Sequence, residues 1–385
     1  MENNTPKKIL IIYEFFYPAY KAGGIIQSLK NLVATLDHHC QFYVITGGFD
    51  LGEGKPLAGI QLNAWSTIQI DNTNIQVWYD DKKKLSINKW KSLFATVNPD
   101  IIYINGFMHL QFLLYPLIAL RSFEYKKIII APRGMLQKGA VEVKSFKKFF
   151  YLLLIKFGKL TSKATWHFTS EAEKIEANQL GWGKRNTIVI PNLSIKPIDK
   201  PSSLWKEEGN LHVVYASIIT PKKNLHYLLQ ALCLCKQNIV LDIYGVVKEN
   251  DYWESCSAVI AAMPSNIKIM YHGAYEPSNV GEIINKYHAM ILLSKAENFS
   301  HAIVESLSSA RPVISSEFTS WNNLEAQKAG WNISINSVVE TARSIDKIAL
   351  TDNAEFETYY HGALILAQKH YNDTNHLSDY KLLFS

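Results

Sequence analysis

Short apolar runs recur along the first half of the chain, and turn-forming residues follow each of them. The runs are rich in β-branched side chains and apolar at successive positions, so both faces of each strand are predicted to be buried. Helical spacing appears between several runs. In the first, one helix face is predicted to carry Ile25, Ile26, Leu29, Leu32, Val33 and Leu36. Strands are predicted at residues 9–13, 42–46, 101–105, 127–131, 166–169 and 187–190.

The same alternation restarts after a polar, proline-bearing stretch that begins at Pro191. Strands are predicted there at residues 212–217, 239–245, 267–273, 289–294 and 312–316, with helices between them. Strand–helix alternation predicts the α/β class, with two Rossmann-like, doubly wound domains facing a central cleft that is the natural ligand site. The predicted divisions are a first domain at 1–195, a linker at 196–208 and a second domain at 209–368.

Composition narrows the class of protein further. A hydrophobic fraction of 48% with 19% charged residues is typical of a folded domain, and the net charge of +6 suits anionic ligands or an anionic membrane but is too small to predict nucleic-acid binding. No signal-peptide pattern or run of about 18 apolar residues appears, which predicts a cytoplasmic protein. The cysteines are predicted to be buried thiols, not disulfides or metal ligands: Cys40, Cys233, Cys235 and Cys256.

Two motifs carry glycine or lysine just after a predicted strand. Gly23 and Gly24 would let a ligand approach the backbone at the start of a helix; the alternative is an ordinary glycine turn. In the second motif, Pro221 is typical of a first helical turn and places Lys222 and Lys223 near a helix N-terminus. Since the helix dipole disfavours cations there, a bound anion would explain the lysines; the alternative is two solvated side chains.

A third motif, at residues 295–314, contains two glutamates eight positions apart. Glu297 follows a strand, Ser300 is expected to cap a helix over 301–310, and Glu305 lies in that helix. The N–H groups from Phe299 to His301 could hold phosphate while the carboxylates accept hydrogen bonds from hydroxyl groups. Two surface glutamates are the alternative, although their neighbours are small and apolar.

The order of these three motifs resembles the retaining glycosyltransferases of family 4, which have the GT-B fold. The likeness spans nearly the whole chain, and several segments are similar to bacterial members that assemble polysaccharides: Pro132-Arg-Gly-Met-Leu, Thr169-Ser-Glu, Ile190-Pro-Asn, Leu241-Asp-Ile-Tyr-Gly, Tyr252-Trp and Leu324-Glu-Ala-Gln-Lys-Ala-Gly-Trp. The resemblance implies transfer from a UDP- or GDP-linked sugar to a glycan or lipid-linked glycan in capsule or O-antigen synthesis. It also implies that the first domain binds the acceptor, the second binds the donor, and a final helix at 369–385 packs back on the first domain.

The resemblance assigns roles to the motif residues. It places Glu305 on the ribose hydroxyls, Glu297 beside the transferred sugar and Lys223 on the diphosphate, with Glu297 and Lys223 as the catalytic pair. It implies neither metal nor cofactor, since lysine and helix N–H groups stabilise the leaving charge. The donor set is Gly23, Gly24, Lys222, Lys223, Gly245, Phe299, Ser300, His301 and Glu305, and the acceptor side is Asn105, His109 and Arg133.

Three positions depart from the family pattern. Ile218 stands where an arginine is usual, with Lys222 or Arg311 as possible replacements, and Ser300 and Ala310 stand where glycines are common. These departures keep two other functions open. One is a donor-binding pseudoenzyme that supports another transferase, and the other is a different GT-B enzyme such as a nucleotide-sugar epimerase.

A basic, aromatic segment at residues 144–159 suggests contact with an anionic membrane at the inner face of the cytoplasmic membrane. The alternative is a core helix with a solvated basic face. Lysines would meet the lipid headgroups and phenylalanines would dip inward: Lys144, Lys147, Lys148, Lys156 and Lys159, with Phe146, Phe149 and Phe150.

Overall fold

The sheets of the protein are built almost wholly from parallel strands, as the apolar runs predict. The computed structural model describes residues 6–36, 39–82, 85–137, 146–276, 279–297 and 299–385. Within these ranges, only the backbone is described at residues 146–149 and 374–375. It divides into two compact units, Met1–Leu193 with Thr374–Ser385, and Ser194–Asp373. Each unit is a sheet with helices, which confirms the predicted α/β class.

The sheet of the first unit has the strand order β3-β4-β2-β1-β5-β6-β7-β8. Only β3 runs antiparallel to its neighbour β4 among the described pairings. The strands are β1 Lys7–Ile12, β2 Cys40–Gly47, β3 Trp65–Ile70, β4 Thr73–Asp80, β5 Ile101–Asn105, β6 Lys127–Ala131, β7 Thr165–Phe168 and β8 Thr187–Val189. The helices are α1 Gly24–Leu36, α2 Ile87–Val97, α3 Tyr115–Ala119, α4 Phe146–Phe157 and α5 Glu171–Gln179, with a π-helical turn at Leu110–Leu114 and a 3-10 turn at Leu120–Ser122.

The sheet of the second unit has the order β11-β10-β9-β12-β13-β14, and its described pairings are all parallel. The strands are β9 Asn210–Ala216, β10 Asn238–Tyr244, β11 Ile267–Gly273, β12 Ala289–Leu292, β13 Val313–Ser316 and β14 Gly330–Ile333. The helices are α6 Leu225–Leu232, α7 Asn250–Ala261, α8 Val280–Ile284, α9 His301–Ser308, α10 Val338–Ala349 and α11 Asn353–Tyr371.

The last helix, α12 Thr374–Leu383, belongs to the first unit. Its end packs into the core of that unit, where the ring of Phe384 contacts Phe42 and Tyr103 with centroids 6.5 and 5.5 Å apart. Lys127 Nζ donates to Leu383 O at 2.7 Å. The chain therefore returns to its first unit after completing the second.

The stretch predicted as a linker, 196–208, is hydrogen-bonded to the second unit. Lys206 is buried, and its ammonium group donates to Glu207 O, Ala349 O and Thr351 O at 2.9, 2.6 and 3.2 Å, which satisfies carbonyl groups at the end of α10. Ile198 N also donates to Ser308 O at 2.9 Å. These bonds anchor the stretch to the core of the second unit.

All four cysteines are free thiols; Cys233 is half-buried and the other three are buried. Burial raises the pKa of Cys40 to about 11 and that of Cys235 to about 12, so these thiols remain protonated and unreactive at neutral pH. Within the described ranges, none of the helices combines the length and apolar character that a bilayer crossing requires.

Candidate functional site

The lysine motif lies in a turn and not in a helix. Asn224 adopts a left-handed backbone with φ of 61° immediately before α6, which begins at Leu225. The prediction that Pro221 starts a helix is therefore wrong, because the left-handed residue separates the turn from the helix. Lys222 and Lys223 both precede the helix, and Lys222 is exposed.

Three contacts join this turn to the loop that follows β12. Lys295 N donates to Lys222 O at 2.9 Å, and the buried Asn224 Nδ2 donates to Leu293 O at 3.0 Å. The third contact is an ion pair between Lys223 Nζ and Glu297 Oε1. The structure thus brings the two predicted catalytic residues together, although their motifs are far apart in the chain.

Glu297 is held from both sides of its loop. Its backbone N–H donates to Phe318 O at 3.0 Å, and it forms a parallel bridge with Thr319. Its side chain is only 8% exposed, whereas that of Lys223 is 21% exposed. Because the pair is largely withdrawn from water, its attraction is weakly screened by salt.

The start of α9 has an unusual backbone. Ser300 occupies the N-cap position, but its φ of 56° is left-handed and its hydroxyl makes no capping bond. The predicted side-chain cap is therefore wrong, because the Ser/Thr cap requires an extended backbone at that residue. Ser300 Oγ is buried with no hydrogen-bond partner in the part of the chain that the structure describes. Phe299 is fixed beside it, since its carbonyl oxygen accepts from Trp321 Nε1 at 2.6 Å.

The end of α9 is also left-handed. Arg311 N donates to Ser306 O at 2.9 Å, and Ala310 N donates to Leu307 O at 3.0 Å. These two bonds form a Schellman motif, in which glycine is the usual residue at the left-handed position. Here that position is Ala310, with φ of 53°. Both places where the family pattern has glycine therefore adopt the backbone that glycine favours.

Glu305 is a buried carboxylate that has no partner among the described residues. It is 7% exposed, and no described residue makes a hydrogen bond or ion pair with its side chain. Burial raises its pKa to about 8. The phenol of Tyr275 is close enough for the Glu305 charge to add to the larger effect of burial in raising the tyrosine pKa. A carboxylate in this position needs hydrogen-bond donors from a ligand.

The remaining predicted donor residues lie in different places. Gly245 has a packing role, because a Cβ there would lie 1.8 Å from Ser217 O. His301 is the first residue of α9. Gly23, with φ of 96°, and Gly24, the first residue of α1, belong to the first unit.

Arg311 does not replace the cation missing at Ile218. Its guanidinium is buried, and its three nitrogens donate to carbonyl groups and a serine hydroxyl within the second unit. Tyr360 covers it at 4.8 Å from the ring centroid. The suggestion that Arg311 compensates is therefore wrong, since all its hydrogen-bonding groups are used by the fold.

The predicted acceptor-side residues Asn105 and Arg133 form one buried network. Arg133 donates through Nε to Asn105 Oδ1 at 2.9 Å, through Nη1 to Asn192 Oδ1 at 2.6 Å and through Nη2 to Tyr103 OH at 2.8 Å. Tyr103 OH also bonds His167 Nδ1 at 2.8 Å. Burial, with a smaller effect from the Arg133 charge, lowers the pKa of His167 to about 3 and keeps it neutral.

His109 lies apart from that network and pairs with a residue that the motifs did not indicate. Its Nε2 is 3.3 Å from Glu14 Oε1. The sequence position of Glu14 could have identified it as a candidate site residue. It lies two residues beyond β1, at the carboxyl edge of a parallel sheet, where ligands bind in such folds.

The helix α4 carries part of the predicted membrane segment. Phe150, Leu154 and Phe157 are 61%, 54% and 80% exposed and recur at helical spacing on one face. Ile155 is buried on the opposite side, and Tyr151 OH donates to His109 O at 3.1 Å. Lys144 lies outside the described residues, as do the side chains of Phe146, Lys147, Lys148 and Phe149.

Across the described ranges, no group of three histidine, cysteine or acidic side chains is arranged to hold a metal ion.

Comparison with known proteins agrees with the sequence resemblance. Residues 196–359 match the family model described as glycosyl transferases group 1. No curated protein matches the chain. Among solved structures, Anabaena HepE in complex with UDP and glucose is similar at 17% identity and a TM-score of 0.68, covering 98% of this chain and 100% of that one.

Two further structures show the same likeness. Sucrose-phosphate synthase from Thermosynechococcus elongatus has 16% identity and a TM-score of 0.68, with 98% of each chain covered. A mutant of S. aureus TarM, in complex with Fondaparinux, alpha-GlcNAc-glycerol and UDP, has 12% identity and a TM-score of 0.67, covering 98% of this chain and 100% of that one. The match over residues 196–359 confirms a resemblance to the glycosyl transferases group 1, and the structural likeness confirms the GT-B fold.

Proposed function

We propose that this protein, whose residues 196–359 match the glycosyl transferases group 1, is a retaining glycosyltransferase. It moves a sugar from a nucleotide-sugar to a lipid-linked glycan acceptor in bacterial surface polysaccharide synthesis. The observation that carries the proposal is the buried carboxylate of Glu305, which no described side chain or backbone group satisfies, in the helix that follows the Lys223–Glu297 ion pair.

Each part of a nucleotide-sugar has a complementary group in the second unit. Ribose hydroxyls donate to Glu305, which restores the hydrogen bonds that burial removes. The first N–H groups of α9 have no partner within the helix, and the helix dipole favours an anion there, so they suit phosphate. Lys223 neutralises the diphosphate, and Glu297 accepts from hydroxyls of the transferred sugar.

The chemistry depends on stabilising the leaving nucleotide. As the bond to the sugar breaks, negative charge grows on the diphosphate, and a fixed ammonium group with helix N–H groups stabilises that charge. The reaction therefore needs no metal and no further cofactor in this proposal. The acceptor hydroxyl bonds to the anomeric carbon from the face that the nucleotide leaves, through an oxocarbenium-like state, and gives its proton to the departing diphosphate. Attack from that face retains the anomeric configuration.

UDP-sugars are the first donors to test, because the HepE and TarM structures are complexes with UDP; GDP-sugars are the second. The experiment is a thermal-shift screen across nucleotide-sugars, followed by donor hydrolysis without acceptor. A ligand that binds only the native state raises its melting temperature. We expect one nucleotide series to raise it and slow hydrolysis to follow.

The same experiment separates the alternatives. A donor that binds but is never turned over, even with membrane extract as acceptor, would favour the pseudoenzyme, for which Ile218 is the evidence. Conversion of the donor sugar to its epimer would favour an epimerase. Absence of any nucleotide-sugar binding would refute the donor site itself.

We also propose that the protein acts at the inner face of the cytoplasmic membrane and docks through α4. The exposed Phe150, Leu154 and Phe157 form an apolar stripe, and the exposed Lys156 and Lys159 flank it. Such a helix lies in the interface plane, with its apolar side in the acyl boundary and its lysines on anionic headgroups. Docking there would bring the enzyme to a lipid-linked acceptor.

A further inference from the structure

We propose that Glu14 accepts the hydrogen bond of an uncharged sugar acceptor in a cleft of the first unit, and that His109 is the residue that positions Glu14. The inference rests on the proposed transferase function and adds to it the acceptor class and a contact residue.

The cleft opens at the carboxyl edge of the first sheet, where β1, β2 and β4 end. Its volume is about 830 Å³, within the range of about 300–1,000 Å³ that is typical of small-molecule sites. Part of its wall is aromatic: Phe15 and Tyr115 line it, together with Phe49, which Lys82 covers on one face, and the buried Phe112. Aromatic faces of this kind offer stacking surfaces to the apolar face of a sugar ring.

Hydrogen bonds define the proton positions on His109. Its Nδ1 accepts from the backbone N–H groups of Gln111 and Phe112, each at 3.1 Å, so Nδ1 carries no proton. The proton of the neutral ring is therefore on Nε2, which lies 3.3 Å from Glu14 Oε1. The imidazole has no lone pair left for a substrate hydroxyl, because Nδ1 accepts from the backbone and Nε2 carries the proton.

Glu14, in contrast, retains free acceptor capacity. Its carbonyl oxygen accepts from Gly47 N at 2.9 Å and Thr46 Oγ1 at 3.1 Å, which fixes its backbone to the end of β2. Its side chain is 39% exposed and lines the cleft. A carboxylate has about four lone-pair sites, and His109 Nε2 lies beside only one of its two oxygens, so Glu14 can accept from an acceptor hydroxyl.

The charge of the cleft selects the acceptor class. Three carboxylates line it, from Glu14, Asp50 and Asp80, against the single lysine Lys82. Asp80 is buried, and this burial, with a smaller effect from the neighbouring Asp81, raises its pKa. A phosphate or carboxylate on the acceptor would meet like charge here.

The single lysine offsets only part of this negative charge. Lys82 Nζ donates to Glu53 O at 2.8 Å and lies 4.0 Å from the centroid of the Phe49 ring. Its charge is thus held by a carbonyl group and an aromatic face. The acceptor that fits is a neutral sugar, whose hydroxyls donate to a carboxylate and whose ring stacks on the aromatic wall.

The test is saturation-transfer NMR on the full chain with methyl glucoside, methyl galactoside and methyl N-acetylglucosaminide as neutral probes and methyl glucuronide as the anionic probe. We expect at least one neutral glycoside to bind and the glucuronide not to bind. Glu14→Gln should weaken binding about tenfold to a hundredfold, the size of a hydrogen bond to a charged group. Glu53→Gln, an exposed carboxylate outside the lining, is the matched control and should change nothing.

A second variant separates Glu14 from His109. His109→Asn keeps an oxygen that can cap the following turn but removes the Nε2 proton, so it should weaken binding less than Glu14→Gln. Equal binding of glucuronide, or a loss larger in His109→Asn than in Glu14→Gln, would overturn the inference.

This readout requires neither donor nor turnover. If neutral glycosides bind but no nucleotide-sugar changes the melting temperature, the transferase proposal fails and the cleft assignment stands. If nucleotide-sugars bind but no neutral glycoside does, the cleft assignment fails and the donor site stands.

Discussion

Lys223 and Glu297 form an ion pair across 74 positions of sequence, between the turn before α6 and the loop after β12. Each holds the other in a defined place before any ligand arrives. A diphosphate would compete with Glu297 for the Lys223 ammonium group. When a donor binds, the ammonium group would therefore contact both the Glu297 carboxylate and the diphosphate. The arrangement ties the position of the Lys223 ammonium group to that of the Glu297 carboxylate.

Replacing Lys223 with alanine should weaken nucleotide-sugar binding about tenfold to a hundredfold. The reason is the loss of a charge-assisted contact with the diphosphate, worth about 1.5–3 kcal/mol. Isothermal titration with the donor found in the thermal screen measures this. Lys268→Ala, an exposed lysine on β11, is the control and should bind normally. Equal affinity of the Lys223 variant and the wild type would contradict the assignment.

Glu305 should make the stability of the second unit depend on pH. Its folded pKa of about 8 is above its ordinary value of 4.5, so between these values the folded state holds a proton that the unfolded state releases. The free energy of unfolding therefore falls as pH rises through that window, by at most about 1.4 kcal/mol per pH unit. Denaturant titrations from pH 5 to pH 8 should show this fall in the wild type and a flatter profile in Glu305→Gln. Identical slopes would refute it.

The same substitution should have the opposite effect on donor binding. Glutamine at position 305 cannot ionise to accept from the ribose hydroxyls, so at pH 8 affinity for the nucleotide-sugar should fall about tenfold or more while stability rises. Titration of UDP-sugar into both proteins measures the change. Unchanged affinity would show that the ribose lies elsewhere.

The doubly buried strands could be predicted from sequence, whereas three other strands could not. β3 is exposed at alternating positions and pairs antiparallel at a sheet edge, so it lacks a continuous apolar run, and its partner β4 was missed with it. β14 begins at Gly330, where a Cβ would lie 2.1 Å from Val313 O. In the sequence alone, a strand glycine that close packing requires cannot be distinguished from a glycine in a turn.

At the candidate site, the two glutamates and the lysine could be identified from their motifs, but their relations could not. The Lys223–Glu297 contact joins distant segments, and the pairing of Glu14 with His109 depends on strand order. The left-handed backbone of Ser300 was hidden because serine usually caps a helix from an extended conformation. Local patterns report propensity, whereas these features come from tertiary packing.

Glycine at either end of α9 should stabilise the protein. Ser300 and Ala310 hold left-handed backbones that cost residues with a Cβ about 1 kcal/mol or more. Ser300→Gly and Ala310→Gly should each raise the free energy of unfolding by about 0.5–1 kcal/mol, as measured by denaturant titration. Ala302→Gly, inside the helix, is the matched control and should lower it by about 1 kcal/mol. Destabilisation by all three would contradict the argument.

Removal of the apolar stripe of α4 should release the protein from anionic vesicles. In co-sedimentation with phosphatidylglycerol vesicles, the triple variant Phe150→Ser, Leu154→Ser and Phe157→Ser should lose most of its binding, because each exposed side chain contributes apolar area to the interface. Lys156→Glu with Lys159→Glu should weaken binding about tenfold or more, since each basic residue near the surface contributes about 1 kcal/mol. Ile365→Ser, an exposed apolar residue on α11, is the control. Equal sedimentation of all variants would refute docking through α4.

Arginine at position 218 should strengthen donor binding if the site is a weakened transferase site. Ile218 is half-buried in the loop after β9, five positions before Lys223, and Arg311 is committed to the fold. A second cation near Lys223 would share the diphosphate charge, so Ile218→Arg should raise nucleotide-sugar affinity about tenfold and speed donor hydrolysis. Ile218→Met, of similar size and uncharged, separates charge from packing and should leave both unchanged. If affinity rises while hydrolysis stays absent, the chain binds the donor without turning it over, and the pseudoenzyme is the better description. If Ile218→Arg binds no better than Ile218→Met, the diphosphate does not lie beside this loop, and Lys223 with the N–H groups of α9 must supply all the positive charge.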